Sequence, residues 1–272
     1  MSSSAGLFQV VTYATDLLSG NPAFILLDTG DATDEALATM CKVLRTDVVG
    51  VIDSRAGNDP VLRFFTADGS HPGAGHVTLA AADVAINNLH LGKKVEGLES
   101  VTFHLLNGER RVARAIGERI EINFPVMAAS RVDRVADMEN ALGKRPMETW
   151  ISPFGYVGYF RDASAIAEME PNMVGVAAFD RPALIATAPG GDTSDIVIRV
   201  FAPRVGLPED PVCGTAHRII IPYWAERLGK SKIHSRHLSP RGGDLWCEVS
   251  GDEIIIAGKS RTIMSGIVEL PG

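Results

Sequence analysis

The sequence predicts two similar domains, each mixing strands and helices in the same order. Three observations carry this. Two glycine-rich turns, Pro72-Gly73-Ala74-Gly75-His76 and Asp210-Pro211-Val212-Cys213-Gly214-Thr215-Ala216-His217, each open an apolar run that reads as a helix. Each turn follows a strand-like Arg-x-Phe segment, Arg63-Phe64-Phe65 in one half and Arg199-Val200-Phe201 in the other. Each helix is followed by a hairpin signal and a closing strand. Both halves therefore run strand, glycine turn, helix, hairpin, strand, the mark of a degenerate internal duplication whose units are too long for a solenoid. The expected domains are 1–126 and 127–272, joined by a short connection near 125–130, with the final strand free to return to the first domain.

The elements follow in order. Strands are expected over 7–13 and 22–28. A helix capped by Thr33 comes next, with Leu37, Met40, Cys41 and Leu44 on one face. Strands at 48–52 and 61–66 precede the first glycine turn and an alanine-rich helix over 77–89. Segments 101–106 and 111–115 flank Asn107-Gly108, a strong hairpin pair, and 119–124 closes the half. In the second half Ser130 reads as the N-cap of a helix with a Val132, Val135, Met138 and Leu142 stripe, ended by Gly143. Strands at 183–188 and 195–202 lead to the second turn and a helix over 216–228, stopped by Gly229. Segments 245–249 and 253–257 flank Ser250-Gly251-Asp252, and 263–270 ends the chain.

Composition narrows the function. The 272 residues are 46% hydrophobic and 22% charged, enough for a substantial core. A net charge of −7 argues against tracking a nucleic-acid backbone or an anionic membrane. No apolar run approaches the roughly 18–20 residues of a membrane helix, and residues 1–6 lack a signal-peptide pattern. Cys41, Cys213 and Cys247 are an odd, widely spaced set, neither a disulfide framework nor a zinc site, which points to a reducing cytoplasm.

The chemistry gathers at the turns. Backbone N–H groups at the two helix starts can hold anionic groups of a small molecule. His76 and His217 sit at those starts, where the helix dipole favours neutral imidazole, suited to proton transfer. Two readings fit them equally: proton-transfer groups, or histidines that satisfy a turn carbonyl. Asp210 either receives a substrate ammonium or hydroxyl, or structures its turn. Glu209 reads as a solvated neighbour. Gly214 and Thr215 supply an unobstructed N–H and a hydroxyl, which an ordinary cap also explains. Cys213 could act as a thiolate at a helix start, but the first turn has Ala74 at the matching place, so no second thiol completes a two-base pair. Its favoured reading is a small turn residue. Asp47, at a strand entrance, is either a loop acid or a general base. Asp16, Asp68 and Asp244 signal only turns. Trp150, Trp224 and Trp246 read as core or partner surface.

At these residues the chain resembles the phenazine-biosynthesis PhzF-like family, within the diaminopimelate-epimerase-fold superfamily. The matching tracts are Gly20-Asn21-Pro22, Arg63-Phe64-Phe65-Thr66 with Gly75-His76, Arg199-Val200-Phe201-Ala202-Pro203, the run from Glu209 to His217, Pro222-Tyr223-Trp224-Ala225 with Leu228-Gly229, and Arg241-Gly242-Gly243. They span nearly the whole chain in the family's order. The resemblance implies an α+β, diaminopimelate-epimerase-like fold of two pseudo-symmetric domains, each a barrel-like sheet around a central helix. It also implies a homodimer and cofactor-free proton chemistry on a small carboxylate-bearing metabolite, with no metal. Asp47 falls where the family carries a catalytic glutamate, one methylene longer. His76 matches the histidine that assists proton transfer, and Asp210 a substrate-binding aspartate. Thr215 matches a serine beside the substrate carboxylate. Cys213 stands where the family often has threonine. Asn21, Gly75, Cys213, Gly214 and Thr215 form the implied substrate-binding set.

Three expectations follow. The first is an isomerase with Asp47, His76 and Asp210 as its catalytic residues. The second keeps the fold but moves the base to Cys213, giving a one-base epimerase or dehydratase. The third is a binding protein without activity.

Overall fold

The computed structural model describes residues 4–16, 18–55, 59–95 and 98–271. Of the opening stretch read for a signal peptide, residues 1–3 lie outside the described residues. The chain divides into two compact units. The first holds the amino-terminal strand, Asn21–Asn123 and the segment from Ala257 onward; the second holds Leu18–Gly20 and Phe124–Ile256.

In the first unit β1 (Ser4–Thr12) pairs antiparallel with β2 (Asn21–Leu27). Helix α1 (Asp34–Leu44) is capped by the Thr33 hydroxyl, which accepts from the Ala36 N–H, and buries Leu37, Met40 and Cys41. The expected cap and apolar face are both present. Strand β3 (Val49–Asp53) lies parallel to β2 and antiparallel to β4 (Val61–Thr66), which carries the short β5 (Gly69–His71). Then comes α2 (Gly75–Asp83), continued by a π-helical turn over Val84–Asn88. Every residue of α2 from Val77 to Asp83 is buried, as a helix apolar on all sides must be. Its alanines let the sheet close round it. Gly50 of β3 marks a close approach: a Cβ there would come within 2.6 Å of Val77 and 2.8 Å of Ile25. Strand β6 (Lys93–Val95), β7 (Leu98–Leu105), β8 (Arg110–Ile116) and β9 (Arg119–Pro125) form antiparallel neighbours, and β7 also joins β4 in parallel. Gly108 takes the left-handed φ of 83° that the Asn107-Gly108 turn requires.

The second unit opens with β10 (Ser130–Val132), not a helix. Ser130 pairs with Ile151, and the Thr149 hydroxyl donates to Val132 O while accepting from Arg134 N–H. That cross-strand anchoring outweighs the local capping signal. Helix α3 (Val135–Leu142) starts later and ends on Gly143 at φ 71°, as expected. Strand β11 (Glu148–Ile151) and β12 (Gly155–Tyr159), helices α4 (Ala163–Ala167) and α5 (Met173–Ala177), and β13 (Ala183–Pro189) follow. Next are β14 (Ile196–Ala202), β15 (Leu207–Asp210), α6 (Gly214–Leu228), β16 (Lys232–His237), β17 (Gly243–Ser250) and β18 (Glu253–Gly258). Helices α3 to α5 cover one side of this sheet through a core of Met138, Leu142, Tyr156, Phe160, Ile166 and Phe201.

The pairing pattern repeats. β2 is parallel to β3 as β12 is to β13; β4 is parallel to β7 as β14 is to β16. β4 pairs antiparallel with β3 and β5, as β14 does with β13 and β15, and each glycine turn follows directly. The last strand, β19 (Ser260–Glu269), pairs with β1 along its length, so it belongs to the first unit. Buried Asp83 of α2 pins it there, accepting from the hydroxyls of Ser260 at 3.1 Å and Thr262 at 3.0 Å.

Candidate active site

The second glycine turn is the more heavily constructed. Helix α6 has Cys213 as its N-cap residue, with extended backbone and no side-chain hydrogen-bond cap. The Gly214 N–H finds no partner among the described residues. The Thr215 and Ala216 N–H groups face the Cys213 sulfur. Asp210 accepts from the Val212 N–H at 3.1 Å, which folds the turn, and lies within hydrogen-bond reach of the Cys213 thiol. Burial first, and the Asp210 charge second, hold that thiol well above its ordinary range. Both effects favour the S–H form over the thiolate that a Cys213 base requires.

Beneath the turn lie two buried histidines. His217 donates from Nδ1 to the Cys213 carbonyl at 2.8 Å, so its Nε2 accepts from the Ser235 hydroxyl, also at 2.8 Å. The carbonyl-satisfying reading of His217 holds. Burial lowers it to about 4, so it is neutral, with burial and not the helix dipole as the leading cause. His237, at the end of β16, accepts the Cys213 N–H at 3.2 Å and stands 5.5 Å from His217 ring to ring. The Ser239 hydroxyl donates to the Pro211 carbonyl at 2.6 Å. Arg241 donates to the carbonyls of Ser19 and Gly20.

Two sequence readings need correction. Glu209 is not a solvated neighbour: it takes two hydrogen bonds from Arg199, at 2.7 and 2.9 Å, while Arg199 also donates to the carbonyls of Ile166 and Met169. Asp244 is more than a turn residue. It is buried in β17, bonded to His234 and Arg236, and these partners outweigh the burial that opposes them, lowering its carboxyl to about 2.

The internal proline of α6 also has a structural answer. Pro222 has no N–H for the Arg218 carbonyl, and the Met127 N–H fills that place at 3.1 Å. The connection between the halves docks there.

The first turn is sparer. Helix α2 begins after Ala74, which has no side-chain cap to offer. Gly75 is its first residue. The His76 ring, partly buried, makes no hydrogen bond among the described residues. Burial lowers it to about 4, so it too is neutral at pH 7. Asp47, just before β3, is exposed and without an ion pair or hydrogen bond among the described residues; partial desolvation raises its carboxyl above the ordinary value. Asn21 opens β2, is buried, and accepts from the Thr12 hydroxyl at 3.0 Å.

Gly75 and His76 therefore belong to one helix start, with Asp47 and Asn21 elsewhere in the same unit. Asp210, Cys213, Gly214 and Thr215 belong to the other. His237, Ser235 and Ser239 were not singled out by sequence; only the neighbouring Arg241-Gly242-Gly243 tract drew attention to that loop. No three His, Cys, Asp or Glu side chains come together as a metal site among the described residues.

The sequence profile of the phenazine biosynthesis-like proteins matches residues 10–266. The chain belongs to that family. It is 34% identical over 265 residues to a protein named an uncharacterized isomerase from Pseudomonas aeruginosa, covering 96% of this chain and 97% of that one. A PhzF-family crystal structure from Enterococcus faecalis superposes with a TM-score of 0.89 at 28% identity, over 97% of this chain and 99% of that one. The fold extends to a hydroxyproline epimerase from Agrobacterium vitis, solved with trans-4-hydroxy-L-proline, at a TM-score of 0.58 and 13% identity over 98% and 93% of the two chains. The α+β, diaminopimelate-epimerase-like architecture is thus shared, and the similar proteins are of isomerase and epimerase type.

Proposed function

We propose that this protein is a cofactor-independent isomerase that moves a proton within a small carboxylate-bearing metabolite by general acid/base catalysis. The observation that carries the reading is the contrast in protonation and partners at the two helix starts. Among the described residues, one offers an N–H at Gly214 without a partner beside a fixed turn; the other offers a neutral His76 without a hydrogen bond, with a carboxyl of raised pKa at Asp47 in the same unit.

In this reading the substrate carboxylate lies on the N–H groups of Gly214 and Thr215, with the Thr215 hydroxyl beside it. Asp47 takes a proton from a carbon next to an electron-withdrawing or conjugated group. The C–H electron pair moves into that group, and Asp47 then returns the proton to a second carbon as a new C–H bond forms. Neutral His76 and Asp210 hold the enol-like intermediate. The raised Asp47 carboxyl makes it a stronger base than an ordinary aspartate. The family match and the isomerases among its relatives support the class. A homodimer and a cytoplasmic setting complete the proposal, and sedimentation tests the first.

The experiment is solvent exchange. The protein is incubated in D₂O with a panel of unsaturated and 2-substituted carboxylic acids, and deuterium at carbon is read by mass spectrometry. One acid is expected to gain deuterium, and Asp47→Asn to abolish the gain while leaving the fold intact. Tight binding of an acid with no exchange in the parent protein would instead make this a binding protein.

A further inference from the structure

The residue beneath the second turn has no role in the scheme above, and its geometry is specific. Cys213 is gripped on both sides of its own α-carbon. Its N–H is donated to His237 Nε2 at 3.2 Å, and its carbonyl accepts from His217 Nδ1 at 2.8 Å. Those two bonds restrain φ and ψ of the residue immediately before Gly214, hence the direction in which α6 presents its first N–H groups. The two imidazoles come from different elements, His217 from α6 and His237 from β16, so the helix start is tied to the sheet. His217 is itself fixed by Ser235 of the same strand.

The tautomer of His237 follows from the donor. A backbone N–H only donates, so Nε2 must be the bare nitrogen and Nδ1 must carry the proton. That Nδ1 is buried and has no hydrogen-bond partner among the described residues. A buried, unsatisfied N–H is normally selected against. Here the ring keeps an unpaired donor on one side while its other nitrogen serves the Cys213 amide.

We propose that His237 is a positioning residue: through the Cys213 amide it sets the orientation of the Gly214 and Thr215 N–H groups. Its value to catalysis rests on the reading that those N–H groups receive the substrate carboxylate. The side chain does not itself touch substrate in this account. What the position requires is a hydrogen-bond acceptor at the place of Nε2, held by β16. A glutamine, which carries a carbonyl oxygen at comparable reach, meets that need. A leucine of similar bulk does not.

The test uses the intact protein and NMR. In the parent, a through-hydrogen-bond coupling is expected between the Cys213 amide nitrogen and His237 Nε2; its absence, or an Nε2 shift of the protonated type, overturns the proposal. In ligand-free H237L the Gly214 and Thr215 amide resonances are expected to move, and in H237Q to return toward the parent positions. Amides that coincide in H237L and the parent overturn it. Should H237L fail to fold, the coupling in the parent and the H237Q spectrum still decide the matter. Benzoate serves as the carboxylate probe: its affinity is expected to fall about tenfold in H237L, the scale of one misplaced hydrogen bond, and to stay near the parent value in H237Q. If benzoate leaves the parent's Gly214 and Thr215 amides unmoved, the carboxylate-binding reading fails, while the positioning of those amides is still judged by the ligand-free spectra.

Discussion

The two glycine turns share a topology and differ in what holds them. At the second, the N-cap residue of α6 is bonded through both its N–H and its carbonyl, and Asp210 and Ser239 fix the chain around it. At the first, Ala74 offers no capping side chain, and neither the His76 ring nor the Asp47 carboxylate has a hydrogen-bond or ion-pair partner among the described residues. The arginines of the matching strands differ in the same sense. Arg63 lies 5.3 Å over Phe65 and Arg199 lies 5.0 Å over Phe201, so the Arg-x-Phe pattern packs alike in both. Yet Arg199 is sealed against Glu209 and two carbonyls, while Arg63 reaches exposed Asp34 at 3.4 Å. A duplicated frame can thus give one half rigid binding and the other a group free to react. Groups already engaged in structure are poor proton carriers, and an anion-binding loop gains from being fixed.

The contrast can be broken in order of expected effect. The largest is on rate. Asp47→Asn is expected to lower exchange by about 10²–10⁴-fold with no change in melting temperature, because among the described residues the carboxylate has no hydrogen bond or ion pair to lose. A melting temperature that falls with activity would make Asp47 structural. Next is Arg199→Met, which leaves part-buried Glu209 without its partner and is expected to cost about 3 kcal/mol in urea unfolding. Arg63→Met, at the matching place, is expected to cost under about 1 kcal/mol because its ion pair is exposed. Equal costs would erase the asymmetry.

Acid comes third. His217 is lowered by burial from 6.5 to about 4, and His237 is lowered well below 6.5 by burial and by His217. Below about pH 6.5 the unfolded chain binds protons that the folded chain refuses, so stability rises with pH through this window and falls on acidification. For His217 the drop amounts to ~3 kcal/mol by pH 4. Urea midpoints at pH 7.5, 6 and 5 measure it, and H237Q is expected to show a shallower decline than the parent. A pH-independent midpoint would mean the histidines are not buried neutral. The smallest effect is Thr33→Ala, expected to cost about 1 kcal/mol for the lost cap of α1, read by thermal melting.

Much of this was legible in the residues. Thr33, the Asn107-Gly108 turn, Gly143 and Gly229 each act through neighbours a few positions away, and their elements end where local chemistry says they end. Ser130 carried the same kind of signal and misled, because Thr149, far along the chain, claims that backbone for a strand. At the active-site level, the residue types at both turns were evident. That His76 makes no hydrogen bond among the described residues while His217 is locked was not, since the two occupy similar places in similar motifs.

The sequence by itself determined the repeated order of elements, the two glycine-led helices and the family, and it singled out the residue types at both turns. Periodicity and turn geometry are short-range and survive in a linear string. Only the tertiary structure decided that β19 returns to β1, that Arg199 seals Glu209, and that His237 holds the Cys213 amide. It also set the protonation of His76, His217 and Cys213. Burial and cross-strand contact create those properties, and both join residues the chain keeps far apart.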